Sequence, residues 1–197
     1  MSQQVPFVGL TGGLGAGKST ALAALASLGA ATISSDAVVH ELYEGEELRA
    51  AVRERFGEEV MRDGAVDRAA LAQRVFANAE DRGWLESLLW PRVGARVAAW
   101  LEEVRGRTPA PPAAVAEVPL LFEAGLGDAY DATIAVVSDE ELRRRRAAAR
   151  GHALVDERAA RQLTQEEKAQ LATFVVRNDG TEDDLRRELS AVLEKLG

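Results

Sequence analysis

Residues 12–19 read Gly-Gly-Leu-Gly-Ala-Gly-Lys-Ser. Four residues separate Gly12 from Gly17, and Lys18 follows at once, which is the spacing of the P-loop pattern. In such a loop the glycines let backbone N–H groups point at phosphate oxygens, and the start of the next helix adds partial positive charge. Lys18 can then reach the β- and γ-phosphates, and the Ser19 hydroxyl can ligate Mg²⁺. The pattern predicts a site for a nucleoside triphosphate and leaves the reaction open.

The sequence on both sides of this loop predicts an α/β fold. Apolar runs of strand length alternate with stretches of helical periodicity, and Gly29 is the expected stop of the helix after the loop. The expected strands are 5–10, 30–35, 113–118, 133–137 and 174–176. The expected helices are 20–28, 47–56, 68–76, 81–89, 92–104, 140–150, 157–163, 166–171 and 183–196. Strands joined through helices predict a parallel sheet covered on both faces, a three-layer P-loop NTPase fold with ligands at the carboxyl ends of the strands.

A long helical block separates the second expected strand from the third. Between about 38 and 105 the sequence shows almost only helical periodicity, and Asp67 is a good N-cap for the helix that begins at 68. We therefore expect a helical insertion at about 37–107 in a single chain whose core is formed by about 1–36 and 113–197.

Composition limits the class of protein. The chain has 197 residues, of which 47% are hydrophobic and 28% charged, and it has no cysteine, so disulfides and thiolate metal sites are excluded. It contains no run of about 18 apolar residues and no basic-then-apolar leader, from which we expect no membrane partner and a cytoplasmic location. A net charge of −8 argues against nucleic acid as the main partner, although a local arginine cluster can still bind an anionic small molecule.

Two acidic residues close expected strands. Asp36 follows the second strand, where a carboxylate can accept a proton from a substrate hydroxyl or hold Mg²⁺ through water. It also precedes a helix-like stretch, so capping that helix is an alternative that can coexist with either role. Glu117 ends the third strand, where many P-loop enzymes place an acidic residue that orients the metal. Leu120 and Leu121 are expected in the core, while the backbone after Pro119 can shape a substrate wall.

Four consecutive arginines from Arg143 to Arg146, with Arg150 one turn later, form the second strong feature. Arg146 and Arg150 are four residues apart and share a helix face, which suits gripping a polyphosphate or stabilising a transferred phosphoryl group. A solvated basic face is the alternative. We expect it for Arg143 and Arg145, paired with the two glutamates that begin the helix.

Other prominent side chains are expected to have no catalytic role. His40 and His152 have no metal partner at ligand spacing, so a polar surface or cleft position is favoured for both. Trp84, Trp90 and Trp100 fall in the helical block, where packing in a core is the favoured interpretation. A pocket for an adenine or pantetheine group is the alternative for the tryptophans.

These features together favour a small-molecule kinase. A switch GTPase needs a guanine-reading Asn-Lys-x-Asp element, and the nearest string, Asn178-Asp179-Gly180, lacks the lysine. A large motor or transporter ATPase would need a longer chain. A kinase for another nucleoside or nucleotide remains an alternative, as does a nucleotide-gated binding module with slow hydrolysis.

The order of the motifs resembles the dephospho-coenzyme A kinase family over nearly the whole chain. The P-loop alone is shared by thousands of proteins, whereas the ordered series at these separations is far more specific. The similar segments are 10–20, Asp36, 68–71, 75–76, 84–85, 88–91, 118–123, Arg146 with Arg150, Arg158 with Gln162, Lys168 and 178–180.

The resemblance implies ATP-dependent phosphorylation of the ribose 3′-hydroxyl of dephospho-coenzyme A, the last step of coenzyme A synthesis. It implies ATP and Mg²⁺ as cofactors and dephospho-coenzyme A as the small-molecule partner, and it leaves the oligomeric state open. It also implies a P-loop kinase core, a helical substrate-binding domain at about 37–107, and an arginine-rich lid at about 140–165.

Roles for individual residues also follow from the resemblance. Asp36 matches the general base of the family, and Lys18 and Arg146 would stabilise the moving phosphoryl group. Nucleotide contacts are expected from Gly13, Leu14, Gly15, Ala16, Gly17, Lys18, Ser19, Thr20, Arg150 and Asn178, with Ser19 also on the metal. Acceptor contacts are expected from Thr11, Asp36, Arg68, Pro119 and Leu120.

Three positions depart from the family pattern. The second strand of the family usually ends in Asp-Ala-Asp, but residues 34–36 read Ser-Ser-Asp, so one carboxylate is missing. His40 stands where an arginine is common, and Trp90 stands where a histidine is expected before Pro91. These differences concern acceptor contacts rather than the reaction.

Overall fold

A computed structural model describes residues 4–149 and 162–197. The chain divides into two compact units, which we call the sheet unit and the helical unit. The sheet unit is formed by Met1–Ser34 and Trp100–Gly197, and the helical unit is Ser35–Ala99. The expected helix at 157–163 falls mostly outside the described residues.

Strands and helices alternate along the chain largely as the sequence pattern predicts, but with a small hairpin and a helix at Ser35–Glu44 in addition and one long helix where two were expected. The strands are β1 (Phe7–Gly12), β2 (Ala31–Ser34), β3 (Met61–Arg62), β4 (Ala65–Val66), β5 (Ala114–Glu117), β6 (Ala132–Val137) and β7 (Phe174–Arg177). The helices are α1 (Lys18–Ser27), α2 (Ser35–Glu44), α3 (Glu46–Phe56), α4 (Arg68–Ala77), α5 (Ala79–Arg105), α6 (Glu140–Ala149), α7 (Gln165–Leu171) and α8 (Glu182–Leu196). Short 3₁₀ turns lie at Glu58–Val60 and Gly127–Ala129.

Five of these strands form the parallel sheet that the sequence predicts. Their order is β2-β5-β1-β6-β7, and every neighbouring pair is parallel. Glu117 at the end of β5 is in register with Leu10 of β1 on one side and with Ser34 of β2 on the other. The carboxyl ends of β1, β2 and β5 therefore meet at one edge, where ligands of such sheets bind.

Both faces of the sheet carry apolar side chains under helices. Successive residues of a strand point to opposite faces, and those of β1 divide accordingly between two cores. On one face the buried core joins Val8 and Leu10 to Ala21 and Leu25 of α1 and to Leu185 and Leu189 of α8. On the other face the core consists of Val5, Ala31, Trp100, Leu101, Val104 and Ala114, with Phe7 and Ile33 packed against it. The expected α/β fold with a covered parallel sheet is confirmed.

The helical unit has an apolar core of its own. Its buried members are Leu48, Val52, Phe56, Val60, Leu71, Val75, Leu85 and Leu89. Asp67 caps α4 as expected, because its carboxylate accepts hydrogen bonds from Ala69 N at 3.0 Å and Ala70 N at 3.1 Å. The antiparallel β3–β4 hairpin was not expected from the helical periodicity of this block.

The last two helices expected in the insertion are a single helix. We expected separate helices at 81–89 and 92–104, but α5 continues through Pro91. A proline inside a helix removes one backbone hydrogen bond and disturbs the preceding turn. In α5 the guanidinium of Arg92 donates to the Leu88 carbonyl at 2.9 Å, which adds a donor where the ladder is weakened. None of the described helices is long and apolar enough to cross a membrane.

Candidate active site

The glycine loop lies between β1 and α1, at the carboxyl end of the central strand. Gly15 and Gly17 have φ angles of 76° and 92°, in the left-handed region that favours glycine. A Cβ atom on Gly15 would lie 2.4 Å from the Arg143 carbonyl oxygen, and one on Gly17 would lie 2.0 Å from Asn178 Nδ2. Both positions therefore need glycine for two reasons, the backbone conformation and the close approach of another segment.

Lys18, the first residue of α1, is folded back over this loop. Its Nζ donates to the carbonyl oxygens of Gly12 at 3.0 Å and Gly13 at 3.2 Å. The ammonium group thus lies on the loop backbone, next to the N-terminus of α1, where an anion is favoured.

Asn178 joins the loop to the end of the sheet. It follows β7, is only 6% exposed, and its Nδ2 donates to the Ala16 carbonyl at 2.8 Å. Its own carbonyl oxygen accepts from Ser138 Oγ at 3.1 Å and from Arg146 Nη1 at 2.9 Å. One buried amide side chain therefore holds the loop, and the backbone of the same residue receives the arginine of α6.

The four arginines of α6 divide into two pairs. Arg144 and Arg145 form exposed ion pairs with Glu140 and Glu141, one turn earlier on the same helix. Arg146 is half-buried and its Nη1 also donates to Ser138 Oγ at 3.1 Å. The solvated basic face is thus confirmed for Arg145.

The expectation for Arg143 is wrong. Its Nε donates to the Leu14 carbonyl at 3.2 Å, and its guanidinium lies beside Gly13 rather than with the helix glutamates. Arg143 and Arg146 are three residues apart and so share a helix face, and this face contacts the loop and Asn178. Arg150, expected to share a face with Arg146, lies outside the described residues.

Sequence reasoning missed the polar residues that support the start of α6. Gln165 at the start of α7 accepts from Ser138 N at 3.0 Å and donates to Ser138 O at 2.8 Å. Asp179 accepts from Asp139 N at 2.5 Å, and this backbone N–H, helped by Arg177, lowers the pKa of the Asp179 carboxyl. The sequence carried no signal for these contacts, because their partners are about 27 and 40 residues away in the chain.

A second group of polar side chains lies under the end of β1. Thr11 Oγ1 donates to the Pro119 carbonyl at 3.2 Å. Lys168 of α7 is completely buried, and its Nζ donates to Pro119 O at 2.6 Å and to Thr11 Oγ1 at 3.4 Å. Glu123 accepts from the same Nζ at 2.9 Å. Thr11 and Pro119, both expected at the acceptor, are thus in contact with each other and with one buried lysine.

The pKa of Lys168 is shifted by two opposing causes. Burial, the larger cause, lowers the pKa because it disfavours the charged ammonium, and the hydrogen bond and charge of Glu123 act to raise it. The net direction is downward.

Next to this group, the burial predicted for two leucines is confirmed for one of them and wrong for the other. Leu121 is fully buried, as predicted, whereas Leu120 is 39% exposed, so its expected place in the core is wrong. The turn after Pro119 points consecutive side chains in different directions. Glu117 is 8% exposed at the carboxyl edge of the sheet, and its role at a metal stays a prediction.

Asp36 and Arg68 belong to the helical unit. Asp36 is the second residue of α2 and is exposed, so it lies inside the first turn and not at the N-cap position that we considered as an alternative. Arg68 is the exposed first residue of α4. Desolvation raises the pKa of Tyr43 to about 12, and the charge of Arg68 opposes this shift.

A comparison with known sequences assigns the family. The dephospho-CoA kinase family model matches residues 6–184. The chain belongs to the dephospho-CoA kinase family. A dephospho-CoA kinase of Anaeromyxobacter dehalogenans is 39% identical over 194 residues, which are 96% of this chain and 91% of the relative. The family is a kinase family and so implies the use of ATP.

Solved structures agree with this membership. A crystal structure from Thermus thermophilus superimposes with a TM-score of 0.83 at 34% identity and covers 99% of this chain and 100% of its own. A dephospho-CoA kinase from Campylobacter jejuni has a TM-score of 0.66 at 24% identity, with 98% and 97% of the chains covered, and supports the fold. The predicted P-loop kinase fold is thereby confirmed.

Two residues of the helical unit that were expected to depart from the dephospho-CoA kinase family pattern are exposed. His40 is exposed on α2. Trp90 is 56% exposed on α5, so the expected core packing is wrong for it. Leu85 and Leu89 form the inward stripe of α5, and the next residue is rotated away by about 100°. Trp84 packs against the apolar core of the helical unit, and Trp100 belongs to one of the two cores of the sheet unit, as predicted.

Proposed function

We propose that this protein transfers the γ-phosphoryl group of ATP to the ribose 3′-hydroxyl of dephospho-coenzyme A, giving coenzyme A and ADP. The observation that carries the proposal is the family match over residues 6–184. The loop between β1 and α1 offers the nucleotide site that such a reaction requires.

The nucleotide is proposed to bind through the loop and the arginine face of α6. Backbone N–H groups of residues 13–20 would hold the phosphates, and Lys18 already has its ammonium over the loop. Among the described residues only Nη1 of Arg146 is engaged, and a guanidinium has five N–H donors. The remaining donors of Arg146 are proposed to stabilise the transferred group, and Asn178 and Arg150 to lie near the nucleotide.

Oxygen donors of this chain suit Mg²⁺. Ser19 is exposed on the first turn of α1, and the described residues contain no cluster of three or more histidine, aspartate or glutamate side chains that would hold a metal alone. Because the P-loop motif places its serine hydroxyl on the metal, we assign Ser19 as a ligand of an ion that binds with ATP, with Asp36 or Glu117 acting through water. The bound ion would neutralise charge on the β- and γ-phosphates.

The acceptor hydroxyl is proposed to lose its proton to Asp36. Asp36 is exposed on the first turn of α2, so its carboxylate is accessible to a substrate hydroxyl. Thr11, Arg68, Pro119 and the exposed Leu120 are proposed to hold the acceptor. Phosphoryl transfer needs positioning and charge neutralisation more than covalent chemistry, which these residue types supply.

An acceptor panel tests the proposal. Purified protein with Mg-ATP is given dephospho-coenzyme A, nucleosides, nucleoside monophosphates or no acceptor, and ADP release is followed together with the mass of the product. Rapid ADP release only with dephospho-coenzyme A, with a product heavier by one phosphoryl group, supports the proposal. Transfer to a nucleoside or nucleotide, or slow hydrolysis that ignores the acceptor, overturns it.

A further inference from the structure

The buried lysine of α7 is the most unusual charged group of the described chain. Lys168 is the largest of the fully buried side chains, and three oxygen atoms from two segments of the chain lie around its ammonium group. They belong to Thr11 at the end of β1, Pro119 after β5, and Glu123 four residues later. The ammonium group therefore joins the end of β1 to the turn after β5.

Glu123 connects Lys168 to a further segment of the chain. Its Oε1 accepts from Lys168 and also from Leu163 N at 2.8 Å. Leu163 lies two residues before α7, within the predicted lid at about 140–165. One carboxylate oxygen thus links the buried lysine to the returning end of that segment.

Stability alone is a poor reason for this pair. Burying two charges costs free energy that their attraction often does not recover, and apolar side chains of similar volume are frequently as stable. The other oxygen, Glu123 Oε2, is buried and has no hydrogen-bond partner among the described residues, which adds a further cost. An apolar pair has no donor to orient the Pro119 carbonyl and the Thr11 hydroxyl, whereas the Lys168 ammonium contacts both.

We propose that Lys168 and Glu123 are positioning residues for the acceptor side of the site, holding Thr11 and Pro119 in place and fastening the chain at Leu163. The inference rests on the proposed function, since Thr11 and Pro119 are acceptor contacts in that scheme. Neither Lys168 nor Glu123 touches the reacting atoms. They act through the orientation of the end of β1 and of the turn at Pro119.

Steady-state kinetics of Lys168→Met and Glu123→Gln test the positioning role. Methionine keeps an unbranched chain but cannot donate to Pro119 or Thr11, so the KM for dephospho-coenzyme A should rise about tenfold, as for one or two lost hydrogen bonds. The KM for ATP should stay within about twofold, because the nucleotide contacts lie on the loop. Glutamine retains the shape of Glu123 without its charge and should produce a smaller change in the same direction.

Thr173→Val is the matched structural control. Thr173 follows the same helix α7, and it exchanges hydrogen bonds of 3.0 Å with Thr133, away from Pro119. Its loss should lower the melting temperature with no selective change in either KM. In the double variant Lys168→Met/Glu123→Gln, the KM for dephospho-coenzyme A should rise no further than in Lys168→Met alone, because the two residues act as one unit.

A selective rise in the acceptor KM with that non-additive double variant supports the positioning role. Wild-type kinetics in both single variants overturn it. A loss that affects ATP and acceptor equally and follows the melting temperature, as in Thr173→Val, also overturns it. If Lys168→Met does not fold, the shape-conserving Glu123→Gln carries the same comparison.

Amide exchange at Leu163 separates this inference from the proposed function. In the wild-type protein the Leu163 N–H is bound to Glu123, so its exchange should be slow, and Glu123→Leu, which leaves no side-chain acceptor at this position, should accelerate it selectively. Unchanged exchange at Leu163 overturns the fastening role, whatever the substrate is. Inactivity of the wild-type protein on dephospho-coenzyme A would instead refute the proposed function, and the exchange measurement would still decide the contact.

Discussion

The loop end of the sheet unit and the surface of the helical unit use polar side chains differently. Around the loop, Asn178 and Lys168 are buried and bind backbone carbonyls of distant segments. Most ion pairs of the helical unit, such as Arg53 with Glu58, are exposed, although the Asp81 carboxylate that binds Arg55 and Arg74 is buried, and the apolar core provides the packing. Buried polar contacts allow one arrangement and are costly to break, whereas exposed ion pairs contribute little. Substitutions should therefore be far more damaging in the first region, with Asp36 as the exception.

The largest effect on activity is expected from Asp36→Asn, although Asp36 is an exposed residue of the helical unit. The asparagine cannot accept the hydroxyl proton, so kcat should fall by about 10²–10⁴-fold, while the KM for ATP changes little. Turnover and ATP titration of the purified variant measure both quantities. Asp63→Asn is the control in the same unit, because Asp63 has a φ of 51° that asparagine also tolerates. Normal turnover in Asp36→Asn would remove Asp36 from the reaction.

Lys18→Ala tests the loop of the sheet unit and should have the next largest effect on activity. Loss of the ammonium over Gly12 and Gly13 removes a charge that faces the phosphates, so kcat/KM for ATP should fall by about 10²–10³-fold. Nucleotide affinity should fall as well, which a fluorescent ATP analogue can report. Lys195→Ala, at an exposed position near the end of α8, should behave as wild type. A fully active Lys18→Ala would contradict the loop assignment.

Each region has a glycine with positive φ, so the same substitution by alanine can be made in both and the losses in free energy of unfolding compared. Gly64 in the hairpin of the helical unit has a φ of 77° and no atom within 4 Å of an added Cβ, so Gly64→Ala should cost only about 1–2 kcal/mol. Gly17→Ala adds a collision with Asn178 to the same strain and should cost more. Denaturant unfolding of both variants gives the difference. Equal losses would show that Asn178 moves aside without cost.

The smallest expected effect concerns the cap of α4. The N–H of Ala70, helped by the charge of Arg62, lowers the pKa of Asp67 in the folded protein. A lowered carboxyl pKa contributes stability above the unfolded pKa, and this contribution is lost as the pH falls through the folded pKa. Asp67→Asn keeps a capping oxygen but has no such titration, so its unfolding midpoint should decline less between about pH 6 and 3. An identical decline in both proteins would contradict this assignment.

Local patterns were read correctly where neighbours in sequence determine the structure. The strand, loop and helix around residues 12–19 depend on residues within one short segment, and so does the cap at Asp67. The five parallel strands also follow from apolar runs and intervening helices. In the site, the P-loop residues could be named because the motif itself defines them.

Other features could not be predicted from the sequence, because they depend on contacts with segments that are distant in the chain. In the run of arginines, helical periodicity alone does not tell which face meets the loop, and Arg143 was assigned to solvent when it binds Leu14. Trp90 and Leu120 look like core residues by type but are exposed. Pro91 is a helix breaker by propensity, yet α5 continues through it.

The phosphate-binding loop and the parallel sheet that presents it could be inferred from the amino-acid sequence, because both follow from local patterns, and the family could be inferred from the order of motifs along the chain. The burial of Lys168 against Glu123, Thr11 and Pro119 and the contact of Asn178 with the loop could be found only in the folded chain. The reason is physical: the free energy of a buried polar group depends on partners far away in the chain, and such partners become neighbours only when the sheet has formed.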